Sequence, residues 1–239
     1  MRGSSIVKPV RFNDPRIVGD ATASVRIFSE RFADEMVIID LDASKSGTQE
    51  LERYRKLSRL CIMPLTLGGG VKTVRDADDL ISSGADKVTV NSAFYDNPTL
   101  LDVVAQKYGS QAVVFSLDCK LIRGRQMAVS QQGSRIESLQ AIEAAQKAVD
   151  HGAGEILLNC IEQDGTMSGY NLDLIKAVSD VVDVPIIAAG GCGRPQDCVL
   201  AVQAGASAVA AGSIFFWIGE TIRSIKQHMG TKGIEVRLE

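Results

Sequence analysis

Four aspartates and two glycine pairs hold most of the chemistry legible in this sequence. Asp40 and Asp42 end one apolar run, Asp118 follows Phe115-Ser116-Leu117, and Asp164 lies in Glu162-Gln163-Asp164-Gly165-Thr166. Two carboxyls in unlike surroundings can divide acid and base work, because burial raises one pKa while hydrogen bonding keeps another low. Asp118 and Asp164 are the pair expected to do so. For Asp40 and Asp42 a capping role at a helix start is an equal alternative. Only two histidines occur, His151 and His228, both in expected helix or loop away from strand ends, which disfavours a histidine-dependent nucleophile.

The glycines carry a second signal. Gly69-Gly70, Gly84-Ala85, Val88 and Ser92 recur with identical spacing as Gly190-Gly191, Gly205-Ala206, Val209 and Ser213. Ala33-Asp34-Glu35 is echoed by Ala153-Gly154-Glu155, so the chain reads as two related halves. Each glycine pair directly follows an expected strand, where the missing Cβ lets backbone N–H groups approach an anion. Asn91-Ser92 and Gly212-Ser213 end the next strand and can add donors beside the same anion. One such pair alone is an ordinary tight turn; duplication at fixed spacing favours two phosphate sites flanking one mouth. An elongated substrate with two phosphates, or a nucleotide diphosphate with another group at its far end, would fit.

These residues need a scaffold that gathers strand ends. Apolar runs at 35–41, 62–67, 87–91, 112–117, 155–159, 184–189 and 208–211 read as strands, mostly β-branched and continuous, as in a sheet buried on both faces. Helical periodicity covers 74–83, 99–108, 139–150, 172–182 and 196–203. This is a chain of seven β-α units. Eight would close a (β/α)8 TIM-type barrel, whose active sites lie at strand C-termini and whose usual size is about 250 residues. The only material for a first strand, ahead of a helix at 21–31, is 5–12, and Pro9 breaks it. An open doubly wound sheet is the alternative architecture.

Composition sets the outer limits. The 239 residues are 45% hydrophobic and 23% charged, which suits one large globular domain over 1–239. A formal net charge of −3 argues against a nucleic-acid surface while allowing a small phosphorylated ligand. No apolar run approaches a membrane span and no signal peptide is visible, so a cytoplasmic protein is expected. Cys61, Cys119, Cys160, Cys192 and Cys198 are odd in number and lack C-x-x-C spacing, and read as reduced, mostly buried thiols rather than a metal site. The absence of a Walker loop, a Rossmann fingerprint and an H-E-x-x-H motif leaves acid-base chemistry on a phosphorylated substrate, with no metal or cofactor expected.

From about Ile6 to its end the chain resembles the cyclase subunit of imidazole glycerol phosphate synthase, a half-barrel-symmetric (β/α)8 family. The resemblance rests on Thr66-Leu67-Gly68-Gly69-Gly70, Gly84-Ala85-Asp86-Lys87-Val88, Gly109-Ser110-Gln111-Ala112-Val113-Val114, Gly152-Ala153-Gly154-Glu155-Ile156-Leu157-Leu158, Gln163-Asp164-Gly165-Thr166-Met167-Ser168-Gly169-Tyr170 and Val236-Arg237-Leu238-Glu239. It implies a glutaminase subunit docked on the N-terminal barrel face, whose ammonia crosses the interior to a phosphorylated substrate. Asp118 then matches a catalytic carboxylate and Asp164 a general acid/base. Gly69, Gly70, Asn91 and Ser92 match one phosphate site, and Gly190, Gly191, Gly212 and Ser213 the other. Lys8 matches a substrate-contacting lysine; Glu35, Lys87 and Glu155 match charged residues at the ammonia entrance.

The departures are as specific. The family's other catalytic aspartate ends its first strand, and this chain is expected to begin after that position; the entrance arginine of that strand is missing too. The run Val7-Lys8-Pro9-Val10-Arg11-Phe12 with Pro15-Arg16-Ile17-Val18-Gly19-Asp20 is similar to a paralogous branch. That branch is associated with a glutaminase and an amidotransferase and turns an acetamido into an acetamidino group on a nucleotide-linked surface sugar, a lipopolysaccharide-type precursor. The resemblance therefore implies an ammonia-using synthase of that branch. The alternatives are a histidine-biosynthesis cyclase, making imidazole glycerol phosphate and the aminoimidazole carboxamide ribotide, and a silent scaffold that activates the glutaminase.

Overall fold

The computed structural model describes residues 1–238, so Glu239 of the C-terminal Val236–Glu239 stretch lies outside the described residues. Eleven strands are described: β1 (Ser5–Val10), β2 (Asn13–Asp20), β3 (Met36–Ile39), β4 (Leu65–Gly68), β5 (Lys87–Val90), β6 (Val113–Ile122), β7 (Arg125–Ser130), β8 (Arg135–Gln140), β9 (Glu155–Cys160), β10 (Ile186–Ala189) and β11 (Ala208–Val209). The parallel strands lie side by side as β3-β4-β5-β6-β9-β10-β11, in chain order throughout. A doubly wound sheet reverses its order at a switch point. None occurs here, so the open-sheet alternative gives way to the TIM-type (β/α)8 fold.

Contacts between the chain's two ends show that the sheet curls. The Lys226 ammonium on the helix Ile222–Thr231 is buried and donates to the Phe32 carbonyl and to Asp34, each at 2.8 Å, just ahead of β3. Phe28, on the helix Ala21–Ser29, packs its ring against Phe215 and Phe216 at 5.6 and 5.9 Å. The last β-α unit thus meets the first one described.

The seven parallel strands fall where the apolar runs predict them, because each is covered by helices outside and by other strands' side chains inside. Val113, Val114, Phe115 and Leu117 are fully buried along β6, and Val88, Leu65, Leu67 and Ile156 repeat this on its neighbours. The helices follow local rules. Thr73 and Asp76 form a capping box at the start of Val74–Ser82, a feature that contributes about 1 kcal/mol. The helix Ala141–Asp150 buries Ala141, Ala144, Ala145 and Ala148, an i, i+3, i+4, i+7 stripe whose small side chains let the backbone lie close to the sheet.

The two halves match in backbone detail. Asp86 N donates to Leu65 O at 2.9 Å, and its counterpart Ser207 N donates to Ile186 O at 2.9 Å. A Cβ on Gly84 would meet Ser58 Oγ at 2.5 Å and one on Gly205 would meet Ser179 Oγ at 2.3 Å. Those hydroxyls bond the carbonyls of Ser83 and Ala204, respectively.

At the N-terminus, where Pro9 speaks against a first barrel strand, the structure places a different element. Residues 5–12 do not supply a strand of the parallel sheet: β1 pairs antiparallel with β2 in a separate two-stranded ribbon. Pro9 has no N–H for a central ladder, and irregular register between Lys8 and Val10, with left-handed φ at Arg11 and Phe12, turns the chain back on itself. The ribbon lies on the loop after β9, where Arg11 N donates to Asp164 O at 2.8 Å and Arg11 Nε to Glu162 O at 3.2 Å. Met1, ahead of it, is buried, and its carbonyl accepts from Leu41 N at 2.9 Å at the end of β3. A second unforeseen element, the β7–β8 hairpin, continues β6 past the end of the barrel strand.

Candidate active site at the C-terminal mouth

Asp118 sits on β6 beside Asn159 of β9, above the buried Phe115–Leu117 segment. Its Oδ2 accepts from Asn91 Nδ2 at 3.2 Å, and the same amide donates to Ser116 O at 2.8 Å. Burial pushes the Asp118 carboxyl up to about 7, with the charge of Asp164 adding to the rise and a hydrogen bond from Asn159 opposing it. Asp164 occupies the loop after β9, its N–H turned back onto the carbonyls of Cys160 and Ile161. Its pKa is also raised by burial, against the pull of the Lys8 ammonium, while burial lowers that of Lys8 against the pull of Asp164. Two carboxyls and an amine are all shifted toward their neutral forms, and Asp118, at about 7, can hold and release a proton near neutral pH.

Lys8, Asp164, Gly190, Gly191, Gly212 and Ser213 line one open recess of about 280 Å³, together with Met167 and Cys192. The ribbon places Lys8 there although it lies far from the others in the chain. Its ammonium occupies the space a side chain at Gly212 would fill, 1.9 Å from where a Cβ would stand. The glycine pair is needed for backbone approach as well: Gly190 and Gly191 have φ of 82° and 110°, and a Cβ on Gly191 would lie 2.1 Å from Gly169 O.

The first half repeats the glycine geometry with other segments packed around it. Gly69 and Gly70 have φ of 107° and 70°, and Cβ atoms there would stand 2.1 Å from Asp40 O and 2.4 Å from Ala43 O. Ser92 Oγ accepts from Gln131 N at 3.0 Å and donates to Asn91 Oδ1 at 3.1 Å. Gln132 Nε2 reaches across to Leu41 O at 3.1 Å. The tip of the β7–β8 hairpin therefore lies on this half, and the Asn91 amide points at Asp118. Gln131 and Gln132 are not legible as site residues in the sequence; their one local signal is the turn composition Gln131-Gln132-Gly133.

The alternative left open for Asp40 and Asp42 resolves to structure. Asp40 is buried, accepts from Asp42 N, Ala43 N and Tyr54 Oη at 2.9, 3.2 and 2.8 Å, and caps the helix Leu41–Ser46. Asp42 accepts from Gly3 N at 2.8 Å. His151 and His228 bond Asp102 and Gln196 on the helices, away from the mouth.

Glu35, Lys87 and Glu155 meet at the opposite, N-terminal end of the sheet. Lys87 Nζ donates to Glu35 Oε2 at 2.9 Å and to Glu155 Oε1 at 2.6 Å. Burial works against the Lys87 charge, but hydrogen bonds to Glu155 and Glu35 outweigh it and hold the pKa above its ordinary value. Glu155 Oε2 is buried without a partner.

A TIM-type (β/α)8 fold with buried carboxyls, an amine and anion-accommodating glycines at its C-terminal mouth is the framework of a barrel enzyme for acid-base chemistry on an anionic substrate. Within that class, the chain belongs to the family described as histidine biosynthesis protein, which it matches over residues 1–219. It is 36% identical over 238 residues, covering 100% of this chain and 95% of the other, to a Campylobacter jejuni protein provisionally named imidazole glycerol phosphate synthase subunit hisF2. It is 40% identical over 240 residues to imidazole glycerol phosphate synthase subunit HisF of Metallosphaera sedula, covering 99% and 95% of the two chains. The HisF of Chlorobium phaeobacteroides is likewise 40% identical, over 238 residues covering 99% and 95%. The family is one of lyase-type synthase subunits. No described helix is long and apolar enough to cross a membrane.

Proposed function

We propose that this chain is the ammonia-using synthase subunit of a two-subunit enzyme, receiving ammonia from a glutaminase on its N-terminal barrel face and adding it to a phosphorylated substrate at the mouth. The observation that carries the reading is the grouping of Asp118, Asp164 and Lys8 beside the Gly190-Gly191 and Gly212-Ser213 recess. Lys8 and the glycine N–H groups hold the anion. Asp164 and Asp118 carry protons between ammonia and the reacting centre, Asp118 being close to half protonated at pH 7. Glu35, Lys87 and Glu155 mark the ammonia entrance at the other end of the sheet.

The substrate favoured within this reading is a nucleotide-linked surface sugar whose acetamido group becomes acetamidino. Ammonia replaces the amide oxygen, and the associated amidotransferase activates that oxygen for departure. No imidazole ring closes in that reaction. Similarity to the Campylobacter hisF2 protein supports the paralogous branch.

The second reading, a histidine-pathway cyclase, is favoured by the 40% identity to HisF of Metallosphaera sedula. Supplying the purified protein with ammonium and the histidine-pathway bisphosphate separates the two. The proposal expects no turnover of that bisphosphate, and formation of acetamidino product when the nucleotide-linked acetamido sugar, a glutaminase and the amidotransferase are combined with it. Rapid release of imidazole glycerol phosphate would instead establish the cyclase.

A further inference from the structure

The cysteines have no motif spacing, yet the fold brings two of them together. Cys192 Sγ lies 3.5 Å from Cys198 Sγ. Cys192 directly follows the Gly190-Gly191 pair and lines the recess, while Cys198 stands in the first turns of the helix Pro195–Gln203 and is buried behind it. Tyr170 lies beside the pair and donates its hydroxyl to Ala210 O at 3.0 Å. Of the remaining cysteines, Cys119 and Cys160 are buried register partners on β6 and β9 that do not line the recess, and Cys61 is half-buried near the N-terminal end of β4.

From this geometry we infer that Cys192 and Cys198 form a reversible dithiol oxidation site, reached by small hydroperoxides through the anion recess. The Cys192 thiolate attacks the peroxide oxygen, the O–O bond breaks, and for hydrogen peroxide one water leaves once the departing hydroxide takes up a proton, with Cys192 now a sulfenic acid. The Cys198 sulfur then displaces the sulfenic hydroxyl, which leaves as a second water. Overall two thiols and one peroxide yield one disulfide and two waters, the thiols being oxidised and the peroxide reduced. Only Cys192 has to meet the oxidant, and it is the one facing the recess.

The site is coupled to the recess by packing. A disulfide draws the two sulfurs from 3.5 Å to about 2.05 Å. The segment carrying Cys192 has no slack: Cβ atoms on Gly191 and Gly193 would each stand 2.1 Å from the carbonyls of Gly169 and Met167. Closing the sulfurs therefore shifts the glycine pair against the loop that bears Asp164, and oxidation weakens anion binding in the recess.

The test treats the full-length protein with sub-stoichiometric hydrogen peroxide and maps its peptides by mass spectrometry. Expected is a linked pair of Cys192 and Cys198 peptides, two hydrogens lighter than their sum, restored by dithiothreitol and formed before Cys61 is modified. In Cys198→Ser the same treatment leaves a Cys192 sulfenic acid that dimedone traps. Prior modification of Cys61, or absence of the linked peptides and of the dimedone adduct, overturns the site. A separate titration with inorganic phosphate reads the coupling. Affinity at least fivefold weaker in the oxidised protein is expected, and equal affinity in both forms overturns the coupling. The peptide map does not depend on what the recess binds, so the oxidation site can fail or stand independently of the proposed function.

Discussion

Gly69-Gly70 and Gly190-Gly191 are the same device used in two halves of one mouth, with different results. Both pairs have left-handed φ, and both press against the backbone of the preceding β-α loop. Around the second pair the β1–β2 ribbon brings Lys8 over Gly212 and leaves an open recess. Around the first, the β7–β8 tip lays Gln131 N on Ser92 Oγ and sends Gln132 to Leu41. The repeat thus sets backbone geometry in both halves alike, while excursions outside it decide which side chains surround each pair. A duplicated motif is evidence for two equivalent backbones, and the side chains that complete each are set separately.

The strongest test bears on the shared part. Gly70→Ala and Gly191→Ala each place a Cβ against a carbonyl oxygen at left-handed φ, and each should cost about 3 kcal/mol or more in urea unfolding. A difference above about 1 kcal/mol between them breaks the equivalence of the halves. Next comes the unshared part. Lys8→Met removes a charge-assisted donor worth about 1.5–3 kcal/mol, so phosphate affinity by calorimetry should fall roughly tenfold to a hundredfold. Ser92→Ala should leave that affinity within about twofold, and equal losses from both variants would put the anion in the first half.

Proton linkage gives a third, smaller effect. Folded Asp118 keeps its proton up to about pH 7, while an unfolded aspartate releases it near pH 4. The folded state binds the extra proton between those values, so this group makes stability decline as pH rises from about 4 to 7, with the loss complete above 7. Asp118→Asn should remove that decline and stabilise the protein at pH 8 by about 1–3 kcal/mol while lowering turnover by about 100-fold or more. Unchanged pH dependence of the melting temperature in that variant would mean the carboxyl is not desolvated. Smallest of all, Ser92→Ala should cost about 0.5–1.5 kcal/mol by leaving Gln131 N without its acceptor, and a neutral result would mean the hairpin tip is not held there.

Much of this arrangement is legible in the residues themselves. Continuous runs such as Ala112–Leu117 announce parallel strands because both faces are buried, and Asp118 and Asp164 stand out because they follow such runs. The repeat is visible as spacing, and the Lys87 cluster follows from the family resemblance. The N-terminal ribbon reads as barrel-strand material because Ile6, Val7 and Val10 have strand character whichever partner they pair with; Pro9 hints only that the partner is not a central strand. The β7–β8 hairpin escapes notice because its longest apolar stretch, Met127-Ala128-Val129, is too short to announce a strand and β8 mixes polar and apolar residues. Asp40 is ambiguous because a carboxylate after a strand looks alike whether it meets a substrate or the N–H groups of Asp42 and Ala43.

The β-α order, the two-fold repeat, the glycines and the two aspartates can all be read along the chain, since they depend on local periodicity and on backbone space that only glycine leaves. Folding was needed to show that Lys8 joins Asp164, that the hairpin lies on the first half, and that Cys192 meets Cys198 at 3.5 Å. Those are contacts between segments whose separation along the chain carries no signal of their meeting. Burial, which moves the pKa values of Asp118, Asp164 and Lys8 toward neutrality, likewise exists only once the mouth is assembled.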